Sequence, residues 1–332
     1  MRNGRRLRPV VALAAAAALL GGCFGAAPSS GPADPPRAVT TAGVADPSVL
    51  VEGSNSYVYG SNWLFGGQAS HVPVLTSTTG RLGDLRWQAD AFPHPPAWTV
   101  TGEFWAPTVA KVGSTYFLYY SALNNTLSPQ RRCVSVATSS SPVGPFTDGR
   151  VTPLVCMSDH GGSIDPYFFA DSDGRNYLVW KTEGVVGSEP SMIWVRELTA
   201  SGATWAPGTA ARGLLETAQP WEGSVIENPA LVRSGSQYWL FYSANNYDTP
   251  RYAIGVASCT SLAAPCTRAY TTPLLASRGS MAGPGGPFPY RTSTGTMQLA
   301  FSAWVAGQVG GGYNRFLYTL PLSFASGSPS FG

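Results

Sequence analysis

Charge is scarce in this chain. Only 12% of its 332 residues are Asp, Glu, Lys or Arg, about half the usual share. Helical bundles and coiled coils depend on Lys and Glu, so the deficit argues against both. Histidine occurs three times and C-x-x-C never, which sets aside a zinc site. A basic surface for nucleic acid is also missing. Arg2, Arg5, Arg6 and Arg8 lie in the first eight positions, and beyond them seventeen basic residues face eighteen acidic ones, a net charge of −1. The 44% apolar and 12% aromatic content excludes a disordered chain. What is abundant is the turn former: 38 Gly and 28 Pro, about a fifth of all residues. An all-β chain of many short strands fits that composition.

The four arginines precede an apolar run at residues 10–20 that is too short to span a bilayer. This is the pattern of a signal peptide, over residues 1–22. It ends Leu20-Gly21-Gly22-Cys23, which resembles a bacterial lipobox and predicts lipidation of Cys23. Residues 23–39, rich in Pro, Ala, Gly and Ser, read as a flexible tether. The expected location is the outer face of the cell membrane, with the membrane touched only through the lipid and the domain at 40–332 a monomer. Four cysteines remain, an even number in an exported chain. Three pairings are possible. Cys259 and Cys266, seven apart across a turn-like segment, favour one bridge there and a second between Cys133 and Cys156.

An internal repeat dominates the rest. Five times an x-Pro dipeptide opens a short apolar run: Asp46-Pro47, Ala106-Pro107, Asp165-Pro166, Asn228-Pro229 and Gly286-Pro287. The prolines are 60, 59, 63 and 58 residues apart. An alternating strand follows each, and these end Gly-Ser61, Tyr-Ser121, Trp-Lys181, Tyr-Ser243 and Phe-Ser302. A third strand comes next, as in Tyr252-Ala-Ile-Gly-Val-Ala. Five equal periods of three or four antiparallel strands predict a five-bladed β-propeller, whose radial repetition protects sheet edges. A sandwich would leave the periodicity unexplained.

Proline is tolerated at the head of a strand, and it pushes the preceding residue towards an extended conformation. Five equivalent residues then face one axis, among them Asp46, Asp165 and, beside Asn228, Glu227. Asp-Pro is also a common turn, so either aspartate alone would carry little weight. Carboxylates gathered in one pocket repel, and their pKa values must separate, as acid/base chemistry requires.

These motifs resemble glycoside hydrolase family 43, the five-bladed propeller arabinanases, arabinofuranosidases and β-xylosidases. The likeness runs from Ala45 to about Leu322 and rests on Ala45-Asp46-Pro47, Phe104-Trp105-Ala-Pro107, Gly162-Ser-Ile-Asp165-Pro166 and Ile226-Glu227-Asn-Pro229. The resemblance implies an inverting hydrolase acting on arabinose-containing plant polysaccharides or oligosaccharides, with Asp46 as general base, Glu227 as general acid and Asp165 as the modulator of its pKa. A β-xylosidase, or a propeller that binds sugar without cleaving it, is the alternative. Trp105 is expected to wall the sugar pocket. Arg315 is the family's last-blade arginine, with Arg291 as its rival. Glu222, in Trp221-Glu222-Gly-Ser, is the rival acid. The reading requires no cofactor and assigns no metal ligand. Many relatives hold an axial ion through the His of Gly-Pro-Gly-His, but this chain has Gly283-Pro284-Gly285-Gly286, so the family's axial calcium lacks that ligand.

Other features carry less. Asp171-Ser-Asp173-Gly174 is expected to be a hairpin turn and not a calcium loop, since the Glu at position 12 is missing. His71 is read as structural and His160 is unplaced. Trp180, Trp194 and Trp239 are expected to pack between blades.

Overall fold

Each proline-headed run enters the innermost strand of a small antiparallel sheet in a computed structural model, which describes residues 36–65, 68–185 and 187–331. These strands are Ser48–Glu52, Thr99–Val112, Ile164–Ala170, Ile226–Ser234 and Met281–Arg291. They pair with Asn55–Tyr59, Thr115–Asn124, Asn176–Thr182, Gln237–Ala244 and Met297–Val305. All five hairpin turns carry a glycine at positive φ, from Gly53 to Gly295, the conformation such turns need. Third strands follow at Pro73–Ser77, Arg131–Ser139, Met192–Leu198, Ala253–Cys259 and Phe316–Ser323. Four sheets gain a fourth strand. In the second sheet, single bridges from Val134 to Val155 and from Thr138 to Thr147 take its place.

The innermost strands pack against one another in sequence, and the fifth returns to the first. The fold is a five-bladed β-propeller. The ring is tied where the chain begins: Val39 and Val44 donate backbone N–H groups to the carbonyls of Leu317 and Arg315, each at 2.8 Å. Val39, placed in the tether by composition, therefore docks on the last blade. Residues 1–35, with the predicted signal peptide and Cys23, lie outside the described residues.

The core lies between blades. One apolar cluster joins blades 3, 4 and 5, another blades 1 and 2, and smaller ones fill the remaining junctions. Because each sheet is covered on both faces, its second strand does not alternate in and out as the sequence suggested; Asn176–Thr182 is buried at every position. Trp180 and Trp239 are buried and Trp194 packs against the junction of blades 2 and 3, as expected. Disulfides join Cys133 to Cys156 and Cys259 to Cys266. Asp171-Ser-Asp173-Gly174 is a hairpin turn closed by the Gly174 N–H on the Asp171 carbonyl, and Asp171 is bound by Arg233 and Tyr238.

Candidate active site

The five residues before the prolines are not extended. Asp46, Ala106, Asp165, Asn228 and Gly286 have φ of 50°, 43°, 56°, 46° and 65°. Only one other non-glycine among the described residues, Asn245, shares that region. Proline disfavours only the right-handed helical region for its predecessor, and here the left-handed alternative is fixed by the blade ahead. Ser61 lies two residues past the second strand of blade 1, and Ser121 and Ser243 lie in the C-terminal part of the second strands of blades 2 and 4. Their hydroxyl oxygens accept the N–H of Ala106, Asp165 and Gly286, respectively, at 2.8–2.9 Å. The ladder slips at the same places, between Trp105 and Thr108, Ile164 and Tyr167, Glu227 and Ala230, and Gly285 and Phe288. Such bulges re-aim side chains. A left-handed L-residue costs about 1–2 kcal/mol, so blades 1 to 4 store strain at the axis, while Gly286 in the fifth adopts the same φ freely.

Asp46, Ala106, Asp165, Asn228 and Gly286 line a single axial hollow with their prolines. Both oxygens of Asp46 are held: Arg315 reaches Oδ1 at 3.1 Å and Oδ2 at 3.3 Å, and the Ser61 hydroxyl donates to Oδ2 at 2.6 Å. Arg315 thus stands where the sequence placed it, whereas Arg291 is exposed and donates to the Gly295 carbonyl. Asp165 Oδ2 accepts the Asn228 N–H at 2.9 Å. Burial first, and then the charge of Glu227, push the Asp165 carboxyl up to about 8. Glu227 Oε1 lies 2.6 Å from the Tyr252 hydroxyl, and Oε2 lies 3.2 Å from the Lys181 ammonium.

The glycines of Gly283-Pro284-Gly285-Gly286 are explained by close approach. A Cβ on Gly285 would fall 1.9 Å from the Tyr252 ring, and one on Gly286 3.2 Å from the Asp46 Cα. Residue 286 therefore offers no ligand to an ion on the axis. Among the described residues no three His, Cys, Asp or Glu side chains are grouped to hold a metal. The residues present do not fit the family's His-held ion.

A match to the model of glycosyl hydrolases family 43 covers residues 36–327. The chain belongs to that family. This family-43 enzyme is a glycoside hydrolase. It is 27% identical to the probable arabinan endo-1,5-alpha-L-arabinosidase A of Aspergillus flavus, over 90% of this chain and 94% of that one. It is 25% identical to the extracellular endo-alpha-(1->5)-L-arabinanase 1 of Bacillus subtilis, over 73% and 70%. The crystal structure of a thermostable family-43 glycoside hydrolase superposes with a TM-score of 0.74 at 24% identity, covering 87% of this chain and 92% of the other.

Glu222, the rival acid, is fully buried in the family-43 propeller. It accepts Arg268 Nε and Nη2 at 2.6 and 2.8 Å, the Tyr242 hydroxyl at 2.8 Å, and the N–H groups of Ala218 and Gln219. Its lone pairs are committed to donors within the fourth blade, which leaves it no proton to transfer. Trp105 adjoins Ala106 at the axis; the Arg132 guanidinium lies 3.4 Å from its ring centroid and pairs with Glu103. His71 binds Asp90 and packs edge-on to Phe104, while His160 pairs with Glu189.

Three site residues were missed in the sequence: Ser61, Lys181 and Tyr252. A signal for two of them was there. In the sequence the alternating run after each proline closes on Ser in four blades and on Lys in the third, and in blades 1, 2 and 4 that serine meets the next blade's axial residue.

Proposed function

We propose that the enzyme is an inverting glycosidase of the arabinanase or α-L-arabinofuranosidase type, acting on arabinose-containing polysaccharides or oligosaccharides. The observation that carries this is the gathering of carboxyls from three blades: Asp46 and Asp165 line the axial hollow, and the charges of Glu227 and Asp46 both act on Asp165. The two relatives named for arabinan support the arabinose side. In this reading Asp46 takes a proton from water as the water oxygen bonds to the anomeric carbon on the face opposite the leaving group. The glycosidic C–O bond breaks, and Glu227 gives its proton to the departing oxygen. Asp165, whose own carboxyl is raised by burial and by the charge of Glu227, stands beside the acid as its modulator. Inversion needs about 6.5–9.5 Å between base and acid, to leave space for the water.

The hollow itself, about 30 Å³, has room for roughly one water and none for a pentose. The sugar must bind outside it, where the exposed Tyr247 packs beside the Arg315 guanidinium at 5.3 Å. Tyr247→Ala and Trp105→Ala are each expected to raise KM about 3- to 10-fold with kcat nearly kept, the loss of one stacking contact. Initial-rate kinetics on arabinotriose separate the two constants. The relative from Bacillus subtilis is extracellular by name, and we place this chain outside the cell as well, anchored through Cys23.

Proton NMR of the first-formed anomer, on a panel of arabino- and xylo-oligosaccharides, tests substrate and stereochemistry together. Expected is an arabinose product of inverted configuration. Retention, xylose release alone, or binding of an intact ligand after long incubation would each remove the proposal.

A further inference from the structure

Lys181 breaks the repeat. At equivalent positions in or just after the second strand, blades 1, 2 and 4 use a serine hydroxyl to accept the N–H of the next blade's axial residue. Blade 3 has Lys181 there, and a lysine ammonium can only donate. The Asn228 N–H is taken instead by Asp165 Oδ2 at 2.9 Å. One substitution in the repeat therefore has two consequences: an ammonium placed against Glu227, and the Asp165 carboxylate clamped to the backbone next to Glu227. Lys181 is 4% exposed. Burial opposes its charge, yet Glu227, Asp165 and Glu183 together raise its pKa, so it stays an ammonium.

We propose that Lys181 is a positioning residue for the acid side of the reaction: it fixes Glu227 through the 3.2 Å contact to Oε2 and neutralises the carboxylate left when Glu227 gives up its proton. The charges of the site support this. Asp46 and Arg315 form one neutral pair. Asp165, Glu227 and Lys181 form a second group, neutral only while the two carboxyls hold one proton. Tyr252 donates its hydroxyl proton to Glu227 from the blade-4 side, Arg315 is close enough for the charge of Glu227 to raise its pKa, and Glu183 lies two residues beyond Lys181. When the proton passes to the glycosidic oxygen the group becomes net negative, and the nearest compensating charge is the Lys181 ammonium. Without it, proton release is harder.

This role rests on the assignment of Glu227 as the acid, so the test separates the two. Lys181→Met removes the charge, Lys181→Ser restores the serine of the other blades, and Lys181→Arg keeps the charge. With the Met and Ser variants, the alkaline limb of the kcat/KM profile should move up by about one pH unit, the usual effect of deleting a nearby opposite charge. Activity on an unactivated arabinoside should fall about tenfold or more, while a 2,4-dinitrophenyl leaving group, which needs little protonation, should lose less than about threefold. The Arg variant should keep the wild-type limb. Carboxyl carbon-13 NMR gives a readout independent of turnover: the upper titration step of the Asp165–Glu227 pair should rise in the Met and Ser variants. An unmoved step and limb, or equal losses on both leaving groups, would overturn the role of Lys181. If instead Glu227→Gln keeps full activity on the unactivated arabinoside, the acid assignment falls, and the NMR titration alone decides whether Lys181 sets the charge of the pair.

Discussion

Asp46→Asn is expected to lower kcat on arabino-oligosaccharides by about 10²–10⁴-fold, the contribution of a positioned proton acceptor. Asn matches Asp in shape, so the propeller should fold, but its amide cannot take a proton from water. Its surroundings add to the loss. Arg315 and Ser61 present three donors to the two oxygens of Asp46, and Asn supplies one oxygen and an NH₂ that faces another donor. Glu227→Gln should cost a similar factor on natural linkages for a different reason, since the departing oxygen would leave unprotonated. The two variants are distinguished by leaving group. A 2,4-dinitrophenyl arabinoside should restore most of the Glu227→Gln activity and almost none of the Asp46→Asn activity, because water must be deprotonated whichever group leaves. Steady-state kinetics on both substrates, with circular dichroism to confirm folding, check this. Wild-type turnover by Asp46→Asn would exclude it as the base.

The architecture was legible in the sequence because it is repeated. Five prolines near a 60-residue period fixed the blade count, and the residues in front of them marked the axis. What failed was local. The rule that a residue before proline is extended holds for an isolated dipeptide, but Asp46, Ala106, Asp165 and Asn228 lie in the left-handed region. Ala106 and Asp165 are held there by serines about 45 residues distant in sequence, Asn228 by the Asp165 carboxylate, and all three by bulges in their own strands. Local preference is worth about 1–2 kcal/mol; a ring of such contacts outweighs it. Alternation failed in the second strands for a related reason, since propeller blades have no solvent face there. Of the site, the carboxylates and Arg315 were legible through position in the repeat and through resemblance. Lys181 was visible only as the blade in which the repeat's serine is missing, and Tyr252 not at all, because its hydroxyl reaches Glu227 from the start of a third strand that reads as ordinary core.

Glu222 shows the opposite case, a buried glutamate whose role is to hold the fold. It closes the short helix Pro220–Glu222 against the fourth blade, with its carboxylate bound by Arg268, by Tyr242 and by two backbone N–H groups. Burial by itself would raise its pKa, but Arg268 and the N–H donors outweigh that and lower it below the ordinary 4.5. A carboxyl whose folded pKa is depressed adds stability that is fully present above its unfolded pKa and is lost as pH falls through the folded value. The contribution of Glu222 should therefore be complete at neutral pH and decline only below about pH 4.5. Replacing it with Ala at pH 7 leaves Arg268 with only the Glu216 carbonyl and two N–H groups without an acceptor, which costs about 3–5 kcal/mol for a broken buried pair. For a domain of this size that is a fall in Tm of roughly 5–8 °C. Glu222→Ala/Arg268→Leu should recover part of the loss, because the orphaned cation is gone and Leu fills space beside Tyr242. Calorimetry of the wild type and both variants at pH 7 and pH 3.5 measures the effect. The gap between wild type and Glu222→Ala should narrow at the lower pH, whereas a gap independent of pH would assign the stabilisation to packing instead of charge.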